Sequence, residues 1–134
     1  MQIVEANPND HSTHRHNRRY AGDSGHQNNA DNQLRRVHNG MVDLCGTTAE
    51  PEGDVKVQTK KVLESIDKLL QMAGTDKSKL LFAQVWLANM QDFEDHNSVW
   101  NDWVDRQNPP ARACVGAPLW RPGILVEIKV TAAV

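Results

Sequence analysis

A chain of 134 residues, 39% of them hydrophobic and with a formal charge of −2, is one domain, long enough to bury about two thirds of its unfolded surface. The near-balanced charge and a pI near 6.3 exclude the electrostatic footprint of a nucleic-acid binder, and no apolar run is long enough to span a membrane. Two cysteines, Cys45 and Cys114, are too few for a disulfide framework and nothing resembles a signal peptide, so free thiols in a reducing, cytoplasmic setting are expected.

Residues 1–33 read as a polar arm. Between Asn7 and Gln33 there is no Val, Ile, Leu, Met, Phe or Trp. Such a stretch cannot bury enough apolar surface to offset its ordering entropy. Only residues 2–5 suggest a short edge strand; the remainder is expected to be flexible. His11, His14 and His16 raise the question of metal binding, but Arg15, Arg18 and Arg19 repel a cation and no carboxylate cage completes the set. A solvated arm without metal is the expectation. Glu5 and Asp10 argue against a mitochondrial presequence.

From residue 34 the chain becomes periodic. Asn39-Gly40 predicts a hairpin turn, followed by a strand in Met41-Val42-Asp43-Leu44-Cys45-Gly46. Asp54 predicts the cap of a helix whose apolar stripe is Val55, Val62, Ile66, Leu69, Leu70 and Ala73, with Gly74 placed to stop it. Residues 80–88 are apolar on both faces apart from Gln84, which predicts an interior strand. A second helix is predicted over 91–106 with Phe93, Trp100, Trp103 and Val104 inward. Asn97 falls on that stripe, and an inward amide must be hydrogen-bonded to backbone or ligand.

Two closing strands alternate strictly. Ala111, Ala113 and Val115 share one face of the first, and Ile124, Val126, Ile128 and Val130 share one face of the second. Pairing them antiparallel with these faces together, around a loop at 117–122 bounded by Pro118 and Pro122, sets Arg112 opposite Glu127 and Cys114 opposite Leu125. By spacing alone that Arg–Glu grouping is a surface ion pair worth a few tenths of a kcal/mol. The element order is strand–strand–helix–strand–helix–strand–strand, an α+β domain with two helices on one face of a mixed sheet. The other face would carry Arg112, Cys114, Glu127, Lys129, Gln84 and Asp43 among Leu80, Phe82, Trp86 and Leu125. That mixture suits a subunit interface with wet clefts.

The run from about 34 to 134 resembles the Rid family (YjgF-type, reactive-intermediate imine deaminases). The pieces that carry the resemblance are Val37-His38-Asn39-Gly40-Met41-Val42 leading to Cys45-Gly46, Asp92-Phe93 with His96-Asn97, Pro110-Ala111-Arg112-Ala113-Cys114, and Val126-Glu127-Ile128. The resemblance implies a chorismate-mutase-like fold, sheets packed around a threefold axis in a homotrimer, and ligand sites between subunits. It implies that Arg112 holds the carboxylate of a 2-imino or enamine acid, a task for which a planar guanidinium fork suits better than lysine. Glu127 would position the attacking water, Cys114 and Asn97 would line the pocket, and Cys45-Gly46 would form the turn whose backbone approaches the ligand. Two positions depart from the family pattern: Cys45 replaces Ser or Thr, and Asn32 stands near where many active members have tyrosine. His38 and His96 are expected in ordinary surface or hairpin roles.

The function implied is hydrolytic deamination of small 2-imino acids to 2-keto acids and ammonia, with Arg112 and Glu127 catalytic and no cofactor. The alternative is a non-catalytic, chaperone-like trimer that binds small carboxylates in the same cleft. Ribonucleolytic activity has been attached to some relatives, but this chain lacks a basic, aromatic surface for it.

Overall fold

The structure, a computed structural model, describes residues 34–134. The expectations for the arm, including the strand at 2–5, the histidines and Asn32, lie outside the described residues.

The first hairpin pairs β1 (Arg35–His38) with β2 (Met41–Leu44). Its two-residue turn needs positive φ at both positions, and Asn39 (49°) and Gly40 (74°) provide it. Helix α1 (Val55–Met72) starts where the Asp54 side chain accepts the Val57 N–H at 3.0 Å, and it ends before Gly74 at φ 78°. A short 3₁₀ turn leads into β3 (Leu80–Leu87), and another, with Asn89 accepting the Gln91 N–H, leads into α2 (Phe93–Trp103). Helix α2 is shorter than the predicted 91–106. Val104 turns extended, and the Asp105 carboxylate accepts the N–H groups of Gln107 and Asn108, a local turn that competes with further helix. Strands β4 (Ala111–Gly116) and β5 (Val126–Ala133) complete the domain.

The sheet order is β1-β2-β5-β3-β4, antiparallel except for the β3–β4 pair, which is parallel. The predicted β4–β5 hairpin is therefore not formed. Strand β3 is inserted between them, the interior place expected for a strand apolar on both faces. The linker 117–125 is not a hairpin loop but a passage across the end of β3, tied by Ala117 N–H to Leu87 O at 3.0 Å and Ala88 N–H to Leu125 O at 3.1 Å.

Both helices cover one sheet face. Val42, Leu44, Ala83, Val85, Leu87, Val126, Ile128 and Val130 are buried there against Val62, Leu63, Ile66 and Leu70 of α1 and Trp100 of α2. Opposed residues share a face, and Arg112 lies opposite Ala83 and Cys114 opposite Val85. Arg112 and Cys114 thus point toward the helices, while Ala111, Ala113 and Val115 point away, the reverse of the predicted faces. Glu127 lies opposite Trp86, and Lys129 opposite Gln84, on the open face. Met41, Phe82 and Val115 are exposed apolar residues on that face. Leu80 is buried rather than open, because a bulge between Leu80 and Phe82 shifts the alternation. Leu125, in the linker before β5, packs against the core. Among the described residues no helix is long and apolar enough to cross a membrane.

Candidate functional site

Arg112 lies on β4, an edge strand, beneath the side of α2. Helix α2 presents Asn97 and Trp100, one turn apart, to the same point. The Arg112 Nη2 donates to Asn97 Oδ1 at 2.6 Å, and the guanidinium carbon stands 4.9 Å from the Trp100 ring centroid. One edge and one face of the fork are thereby fixed. The other terminal nitrogen, Nη1, is buried with no hydrogen-bond partner. Burial lowers the Arg112 pKa from its ordinary value, with Cys114 opposing; burial raises that of the Cys114 thiol, with Arg112 opposing. The expected inward amide of Asn97 finds its partner in the arginine itself.

Sequence reasoning missed the group behind this clamp. His96, expected in a surface or hairpin role, is fully buried, with Nδ1 3.0 Å from Thr59 Oγ1 and Nε2 without a partner. Burial first, and then the Arg112 charge, push its pKa down to about 4, so the ring is neutral at pH 7. Its helical spacing from Phe93 and Trp100 was the available signal. Gln58 was also missed. It is fully buried, donating to Gly123 O at 2.9 Å and accepting from Leu125 N–H at 2.9 Å, which staples α1 to the linker.

Glu127 belongs to a second group on the open face. The strap 45–48 follows β2 and is tied to β5 by a two-bond bridge, Thr47 N–H to Ile128 O at 2.9 Å and Ile128 N–H to Thr47 O at 3.0 Å. This lays Gly46 against the Glu127 carboxyl: a Cβ at residue 46 would stand 3.1 Å from both Cδ and Oε2. Cys45, just before it, is exposed. The anticipated cross-strand Arg112–Glu127 pair is absent, because β3 separates their strands and their side chains leave opposite faces. Arg112, Asn97 and Cys114 form one candidate half-site, and Cys45, Gly46 and Glu127 the other. Among the described residues no group of three or more His, Cys, Asp or Glu is placed to hold a metal.

Known proteins share this framework. Residues 31–134 match the family described as endoribonuclease L-PSP. A RutC family protein of Haemophilus ducreyi is 42% identical over 99 residues, covering 73% of this chain and 85% of that protein. The crystal structure of a YjgF family member from Neisseria meningitidis superposes with a TM-score of 0.73 at 41% identity, covering 75% of this chain and 84% of that one. A Rid family protein of unknown function from Yersinia pestis gives a TM-score of 0.71 at 30% identity, covering 75% and 86%. The matched stretch includes both half-sites, the parallel β3–β4 pair and the two covering helices, and on that extent of agreement the chain belongs to the Rid (YjgF/RutC) family.

Proposed function

We propose that this protein is a hydrolytic deaminase of small 2-imino acids and their enamine tautomers, and that its site forms between subunits of a homotrimer. The observation that carries the proposal is the half-buried Arg112, which makes no ion pair among the described residues. Its Nη1 is already enclosed, so the place left for an anion is the part of the side chain that stays accessible. A carboxylate docked there would compensate the charge with charge-assisted bonds. Asn97 is neutral and Trp100 offers only its π face, so neither neutralises the guanidinium.

With the carboxylate held, the imine carbon is fixed relative to a water positioned by Glu127. Glu127 takes a proton from the water as its oxygen adds to the C=N carbon. That proton passes to nitrogen to give the neutral carbinolamine; as the C–N bond then breaks, the hydroxyl proton is relayed to nitrogen as well, and a 2-keto acid and ammonia leave. Orientation supplies most of the acceleration, and the protein need form no covalent bond. The two half-sites leave opposite faces of one sheet, so one subunit cannot close them on a single small molecule. A neighbour bringing its Gly46–Glu127 pair to the β4 edge can. The open face, with Met41, Phe82 and Val115 exposed, is the surface such a neighbour would cover.

The test generates imines in place with an amino-acid oxidase and follows their decay with and without the protein, alongside sedimentation for the assembly. Accelerated decay by a trimer is the expected result; decay at the uncatalysed rate for every amino acid tried, or a stable monomer, would overturn the proposal. An exposed cysteine at residue 45, beside Gly46, favours a second reading in which the same cleft binds small carboxylates without turnover. Keto-acid binding in the absence of imine hydrolysis would select it.

A further inference from the structure

Trp120 is the most exposed large apolar side chain among the described residues, at 70% of its surface, yet it is not loosely held. Its indole Nε1 donates to Thr48 Oγ1 at 3.4 Å. The next residue, Arg121, stands with its guanidinium carbon 6.0 Å from the indole centroid and its Nη1 3.7 Å from Glu50 Oε2. The base of the linker is braced as well. Gly123 has φ 86° and passes so close to Pro51 that a Cβ there would lie 2.9 Å from the proline Cβ, while Gln58 binds the Gly123 carbonyl and the Leu125 N–H. A tryptophan offered to solvent on a loop fastened at several points is displayed for contact.

Its position decides which contact. The linker leaves β4, which carries Arg112, and enters β5, which carries Glu127. Its apex is fastened to Thr48, two residues beyond Gly46 and next to Thr47, whose bridge partner Ile128 adjoins Glu127. The indole is therefore tied to the strap whose Gly46 packs against the Glu127 carboxyl. We infer that Trp120 is a specificity-determining wall of the site, receiving the substrate's side chain, and that the favoured substrates are 2-imino acids with bulky apolar or aromatic side chains. This rests on the deaminase reading above for the identity of the reaction. A broad indole face rewards apolar area and aromatic stacking, and the cationic Arg121 beside it disfavours basic side chains.

The experiment compares imines generated from alanine, leucine and phenylalanine in wild type, Trp120→Ala and Trp120→Phe. Wild type should favour the leucine- and phenylalanine-derived imines. Trp120→Ala should lose about tenfold or more in kcat/KM for those two and little for the alanine-derived imine, and Trp120→Phe should retain most of the preference. Calorimetric binding of the corresponding 2-keto acids is measured in parallel because it needs no turnover. If wild type hydrolyses no imine but binds the benzyl-substituted keto acid more tightly, and Trp120→Ala abolishes that preference, the deaminase reading falls and the wall stands. An unchanged preference in Trp120→Ala would overturn the wall. So would an equal loss for all side chains accompanied by weaker subunit association, which would make Trp120 an interface anchor.

Discussion

Acidification should destabilise this protein through the His96 imidazole. His96 is fully enclosed between α2 and Thr59, and its pKa is held at about 4. In the unfolded chain the same ring titrates near 6.5. The folded-state value is the lower one, so the unfolded chain takes up the proton first as pH falls. The stability contributed by the neutral ring is thus complete above about pH 6.5, declines below it, and levels off near pH 4. A gap from 6.5 to about 4 corresponds to about 3 kcal/mol, of which about 2 kcal/mol is gone by pH 5. Urea unfolding at fixed protein concentration, between pH 8 and pH 4.5, would measure this in wild type and in His96→Gln. Glutamine keeps a polar group near Thr59 but does not titrate. The variant should be less stable at pH 8, through lost packing, and show a shallower loss toward pH 5. Parallel pH profiles for the two proteins would refute the argument, because the proton-linked loss would then belong to other groups.

Arg112→Lys keeps the charge but loses the fork, and should fold and assemble normally while imine hydrolysis falls by roughly a hundredfold or more; Glu127→Gln should lose turnover yet still bind 2-keto acids. Mixing those two inactive proteins under conditions that exchange subunits should restore about a quarter of the activity if the site spans two subunits of a ring, and none if each subunit holds a whole site. Gly46→Ala should leave thermal stability within about 2 °C, since φ there is ordinary, but should reduce turnover because its Cβ displaces the Glu127 carboxyl. Gln58→Leu should cost about 2 kcal/mol, seen as a fall of roughly 10 °C in Tm, because it strips partners from the Gly123 carbonyl and the Leu125 N–H.

The features legible in the sequence were those set by local chemistry. Asn39-Gly40 called for a turn with positive φ, Asp54 for a cap, Gly74 for a stop, and the stripe of α1 for a buried face, and each is found in place. What local chemistry does not contain is the identity of a strand's neighbour. Ala111-Arg112-Ala113-Cys114-Val115 alternates cleanly, but alternation defines two faces without saying which is inward. Taking the apolar positions as inward turned Arg112 and Cys114 away from the helices. The outcome reversed because α2 supplies Asn97 and Trp100 as a cover for the arginine, partners 15 and 12 residues away in sequence. The doubly apolar 80–88 segment did carry the missing information. A strand apolar on both faces sits in the middle of a sheet more readily than at its edge, and here the middle place lies between β4 and β5. For His96 the helical spacing hinted at burial, but what makes a buried polar side chain tolerable is its partner, and the partners of His96 and Gln58 lie on distant segments.

The separation of Arg112 from Glu127 also bears on why the arginine is there. An intrachain ion pair would have been a complete structural explanation for both residues. The register removes it. Around Arg112 the structure places a neutral amide, an indole face, a thiol whose pKa is raised by burial, and an imidazole kept neutral at pH 7. Among the described residues its guanidinium makes no ion pair. A half-buried cation with neutral neighbours and one unpartnered donor is poorly explained by stability, since an apolar residue opposite Ala83 would pack there without the desolvation cost. It is well explained by an anion that arrives from outside the chain. The substrate carboxylate proposed above is such an anion, and the charge it would need is left uncompensated because β3 keeps this chain's own Glu127 on the other face of the sheet.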